Sequence, residues 1–179
     1  MICLYRPFGC ECAAAIARLA GVVYVRPIMP CARLPEDVPR GEIVCLFGVT
    51  FGQKETAYLA KTSAGIVFFS NDSGEISLMQ SYCIDPGIRS MLQMPADVNV
   101  PLTVQVWRHL FPHEDLPAAV HQLGRLELGY SDPEDRYFYE ALVDMGLFNL
   151  PPDQLDEWIP LLHNEYNIVN ILIGRTHYF

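Results

Sequence analysis

Lysine is nearly absent from this 179-residue sequence, occurring only at Lys54 and Lys61. No basic run exists that would drive nonspecific binding to a phosphate backbone. Long hydrophobic runs are missing as well: nothing reaches the roughly 18 uncharged apolar residues of a membrane-spanning helix. The opening residues 1–9, MICLYRPFG, are too short for the apolar region of a secretion signal. Metal and nucleotide signatures are also lacking. Neither the serine elbow G-x-S-x-G nor the phosphate loop G-x-x-x-x-G-K-[ST] occurs. Glycine and proline are modest and unperiodic, which excludes a collagen-like or low-complexity chain.

What is present describes a compact, core-rich domain. Apolar residues make up 51% and charged residues 18%, enough apolar surface to offset the entropy of ordering. The net charge of −9 is unevenly spread. Residues 1–100 carry 8 Lys/Arg against 9 Asp/Glu, and residues 101–179 carry 4 against 12. The six cysteines, at 3, 10, 12, 31, 45 and 83, lie largely among apolar neighbours. Without a secretion signal they read as unpaired thiols in a reducing intracellular compartment. Cys10 and Cys12 are a C-x-C pair with no second Cys/His cluster near them, so a zinc site is not expected.

The first half alternates strand and helix signals. Residues 1–6, 22–28, 42–50 and 65–70 are apolar, β-branched runs, while 11–20 and 53–62 have helical composition, the former closed by Gly21. Strands without polar alternation suit a sheet covered on both faces, so the expected fold is α/β, a mostly parallel β-sheet flanked by helices, with a helical second half. Helices are expected over 100–110, 116–126, 133–145 and 154–173, the last kinked or divided at Pro160. A soft boundary near residue 150 separates an α/β domain (1–150) from a C-terminal helix and tail (151–179).

In open α/β sheets ligands collect at the carboxyl ends of the strands, which directs attention to loops 6–11, 47–52 and 70–75 and to residues 129–132. The stretch Tyr5-Arg6-Pro7-Phe8-Gly9-Cys10-Glu11-Cys12-Ala13-Ala14 resembles the opening strand, loop and Asp-Gly-x-x-Ala-Ala helix start of the DHH phosphoesterase family, in its oligoribonuclease/phosphodiesterase-like branch. Gly9 stands where that family has an aspartate. In Ile43–Thr50 Gly48 stands at the next aspartate, and Ser70-Asn71-Asp72 replaces the name-giving Asp-His-His. Residues 102–112 are similar to the family helix ending in Phe-Phe-Pro, and residues 135–142 to the helix after the last metal aspartate. That aspartate would fall near 126–129, where Glu127 is the only acid.

The resemblance implies a DHH-like domain whose chemistry is gone. Family enzymes hold two divalent ions, usually manganese, that generate the nucleophile and clamp the phosphate. Gly9, Gly48 and Ser70 offer no anionic ligand, Asn71 is a weak neutral one, and Asp72 is the one residual metal candidate, with Glu11 or Glu75 as helpers. The second domain that family enzymes carry is not evident before Phe179. The leading expectation is therefore a pseudoenzyme without a cofactor, acting as a structural or assembly component of a larger complex, for which an RNA-associated assembly is a natural setting. Its protein partner would use Leu155, Trp158, Leu162 and Tyr166 of the last helix. One alternative is a manganese-dependent phosphodiesterase acting on short oligonucleotides or nucleotides with a rearranged site drawn from Asp72, Glu11, Asp85 or Asp132. The other is a nucleotide-binding module without turnover, with Arg6, Asn71 and Ser73 as binding candidates. In the leading reading Arg6, Arg26, Arg33 and Arg40 are expected to form one local basic edge.

Overall fold

The structure is a computed structural model and describes residues 1–29, 32–129 and 132–163. Five strands form its sheet: β1 (Ile2–Tyr5), β2 (Tyr24–Pro27), β3 (Ile43–Phe47), β4 (Gly65–Phe69) and β5 (Leu92–Gln93). Their order is β2-β1-β3-β4-β5 and every neighbouring pair is parallel. Successive residues of a strand point to opposite faces, so a sheet buried on both sides needs apolar residues at every position. The three central strands, β1, β3 and β4, meet that demand. Cys3, Tyr5, Cys45, Phe47, Val67 and Phe69 enter one core layer, while Ile2, Leu4, Val44, Leu46, Ile66 and Phe68 enter the other.

Helices cover both faces. The first layer is built from α1 (Glu11–Leu19), α5 (Leu102–Leu110), α6 (Ala118–Glu127) and α7 (Pro133–Asp144). The second uses α2 (Gln53–Thr62), α3 (Ser73–Tyr82) and α4 (Pro86–Met91). The alanine run of α1 keeps that helix thin against the sheet, and residues 12–17 are all buried. Gly21, at φ +84°, ends it: Gly21 N–H donates to the Arg18 carbonyl and Val22 N–H to the Ala17 carbonyl, the hydrogen bonds of a Schellman stop.

Two parts of the fold differ from expectation. Helices α3 and α4 and the short strand β5 were not apparent in the sequence. Met79 is the one fully buried residue of α3, so its apolar face is too sparse to show as a helical period. The second difference lies after residue 150, where the chain does not leave the body. A 3₁₀ segment (Pro152–Trp158) leads into the four-residue α8 (Ile159–Leu162), with Pro160 in its first turn where a missing N–H costs nothing. Leu155, Trp158 and Leu162 are all but inaccessible, and the Trp158 indole donates to the Leu147 carbonyl at 3.1 Å. These three side chains complete the core over α1 and are not available to a partner. Tyr166 and the rest of the expected terminal helix beyond 163 lie outside the described residues.

Candidate functional site

From β1 the chain crosses to β2 on one side; from β3 it crosses to β4 and β5 on the other. The reversal opens a crevice at the carboxyl ends of β1 and β3, the usual ligand position in such sheets. The ladder continues past the strands there: Arg6 N–H donates to the Phe47 carbonyl at 3.1 Å, and Gly48 N–H to the Phe69 carbonyl at 2.9 Å. Arg6, Gly48 and Ser70 thus end up side by side, as the alignment of the strand ends requires.

Their side chains satisfy one another. Arg6 Nη1 lies 2.7 Å from Glu75 Oε1, and Ser70 Oγ donates to Glu75 Oε2 at 2.6 Å. The Ser70 hydroxyl in turn accepts from Asp72 N–H at 3.0 Å. This chain of bonds ties β1, β4 and the first turn of α3 together. Gly48 makes room for it. Its φ of +59° favours glycine, and a Cβ there would sit 3.2 Å from Arg6 Nη2 and 3.1 Å from Cys10 Sγ. An aspartate at Gly48 would therefore require the guanidinium to move.

The remaining acids have local structural tasks. The Glu11 carboxylate is 2% exposed and folds back onto its own loop, accepting from Phe8 N–H at 2.5 Å and Gly9 N–H at 2.8 Å. That loop carries Phe8 at φ +63°, the one positive φ outside glycine among the described residues, and the two bonds hold it in place. Asp72 caps α3, accepting from Gly74 and Glu75 N–H, and Asp85 caps α4 through Gly87 and Ile88 N–H. Asp132 pairs with Arg125 in the first helix layer. The acids expected for a rearranged site thus lie on separate elements, each bound to backbone or to an arginine. Among the described residues no group of three or more His, Cys, Asp or Glu is placed to hold a metal ion.

At Gly9 and Gly48 there is no ligating side chain, and a guanidinium already occupies the space beside Gly48, where its charge would oppose a cation. Asn71 is half-buried and Ser73 exposed at the start of α3. Burial pushes the Cys10 thiol up to about 12 despite its proximity to Arg6, so it remains protonated and is a poor nucleophile. Of the expected basic edge, Arg26 is engaged with Asp37 and Arg40 with the Tyr58 hydroxyl, leaving Arg33 exposed.

Two further residues shape the surroundings. Glu127 lies half-buried at the start of α5, both carboxylate oxygens 3.4 Å from Thr103 N–H, and burial raises it to about 7. Gln105 was not anticipated. It is 6% exposed and its amide donates to the carbonyls of Ser70, Asp97 and Val100 at 3.1, 2.9 and 2.7 Å, clamping the loop after β5 to the end of β4. The only hint in the sequence is a polar residue inside Val104-Gln105-Val106-Trp107, since a glutamine on a buried face must find partners.

No helix among the described residues is long and apolar enough to cross a membrane. No protein-family model, curated protein or solved structure matches the chain.

Proposed function

We propose that this protein is a non-catalytic, DHH phosphoesterase-like domain serving as a structural or assembly component of a larger complex in a reducing intracellular compartment. One observation carries the reading: at the β1/β3 switch point the strand-end groups are spanned and satisfied by the Arg6–Glu75–Ser70 bridge. A site that binds and turns over a phosphate ester needs converging, unsatisfied groups, whether metal ligands or hydrogen-bond donors. Here the guanidinium is neutralised by Glu75, and the Phe8 and Gly9 amides by Glu11. A ligand binding there would have to break these bonds before forming its own. The family resemblance suggests an RNA-associated assembly, while the excess of acid in residues 101–179 disfavours wrapping a nucleic-acid backbone directly.

Incubation with a diribonucleotide and millimolar manganese tests the proposal. The expected outcome is no hydrolysis above the uncatalysed background, unchanged by Asp72→Ala. Turnover abolished by Asp72→Ala would overturn it in favour of a rearranged phosphodiesterase.

A further inference from the structure

Two adjoining grooves lie along α5. One, of about 310 Å³, is bounded by the loop after β5 and by Gln105, Arg108 and His109. The other, of about 260 Å³, runs between α5 and α6 past Leu116, Gly124 and Leu128. Val100 and Arg108 line both, so Arg108 stands at their junction. The walls of the second groove are mainly apolar, including Val104, Leu116 and the 39%-exposed Leu128.

The charge at this junction is opposite to that of the chain. Arg108 is exposed and makes no ion pair or hydrogen bond with any described residue, in a protein of net charge −9. Asp97, the acid that lines the first groove, accepts from the Asn99 backbone and side-chain amides and forms no ion pair with Arg108. The Gln105 amide holds carbonyls of the loop after β5 and of Ser70 beneath the groove, with Gln105 Oε1 buried and without a donor among the described residues. An exposed cation beside apolar walls in a shallow, open channel suits an extended segment more than an enclosed small molecule.

We infer that the α5 groove, centred on Arg108, docks a partner-protein segment carrying a carboxylate next to an apolar side chain. The carboxylate pairs with Arg108, and the apolar residue lies between α5 and α6 against Leu116 and Leu128. At physiological ionic strength screening acts over about 8 Å, so a segment gains from Arg108 only when seated in register. This inference rests on the assembly reading and assigns it a surface.

Selection of short random peptides on the full chain, followed by fluorescence anisotropy of the enriched peptides, tests it. Enriched peptides are expected to share an acidic residue beside an apolar one. Their affinity should fall about tenfold or more in Arg108→Glu and also fall in Leu128→Asp. Arg108 is exposed and unpaired, so Arg108→Glu should keep the wild-type melting temperature; comparing the two separates lost docking from lost folding. Enrichment that survives Arg108→Glu, or none at all, overturns the docking surface and leaves the assembly reading standing on its hydrolysis test. Binding of adenosine monophosphate through Arg108, without peptide binding, overturns both, favouring a nucleotide-binding module.

Discussion

Arg6 changes what the strand-end glycines mean. In the sequence Gly48 reads as a lost metal aspartate; in the structure it is the space that a guanidinium needs. The Arg6–Glu75 pair is partly shielded, its side chains 38% and 18% exposed, so it should contribute more than a surface ion pair. A double-mutant cycle of Arg6→Ala and Glu75→Gln, followed by denaturant unfolding, should give a coupling of about 1–2 kcal/mol. A coupling near zero would mean that the bridge does not hold the strand ends together. Glu127 gives a second prediction. Its native value of about 7 lies above the ordinary 4.5, so between those pH values the folded chain holds a proton that the unfolded chain has released. Stability therefore falls as pH rises from about 4.5 to 7 and levels off beyond, a loss on the order of 2–3 kcal/mol. Glu127→Gln should flatten that part of a melting-temperature-against-pH curve and raise stability at pH 8.

Among the elements, those with dense apolar faces were legible and those held by single polar residues were not. Strands β1 to β4 and helices α1, α2, α5, α6 and α7 follow from continuous apolar runs or helical periods. By contrast, α3 and α4 begin on the side chains of Asp72 and Asp85, and α3 buries little more than Met79. The end of the chain misled for another reason. Leu155, Trp158 and Leu162 were read as one stripe of a long helix, whereas prolines at 151, 152 and 160 favour a 3₁₀ segment that seats the same residues in the core. Close packing of α5 on α6 supplies a test at this scale. A Cβ at Gly124 would lie 2.9 Å from Pro101 Cγ and 3.0 Å from Val104 Cγ2. Alanine normally favours a helix interior over glycine by about 1 kcal/mol. Gly124→Ala should nevertheless destabilise by about 1–3 kcal/mol, read from the urea midpoint, because the helices must separate.

For the molecule as a whole, the fold class could be read from the sequence because a parallel sheet buried on both faces leaves an unmistakable apolar pattern. The state of the candidate site could not. Glu75 lies 69 residues from Arg6, and only the parallel alignment of β1, β3 and β4 brings the two together. The positions of Gly9, Gly48 and Ser70 could be located from the sequence; that an internal cation fills the space beside them depends on side-chain geometry. We propose that this built-in ion pair stands at the strand ends where an enzyme of the family that the sequence resembles would hold its metal ions. The most direct test is the thermal unfolding midpoint with and without millimolar manganese, using magnesium as the control. A ligand that binds only the native state raises the midpoint, by several degrees for a preformed two-metal site. The account predicts the same midpoint in manganese, magnesium and metal-free buffer, whereas a manganese-specific rise of several degrees would contradict it.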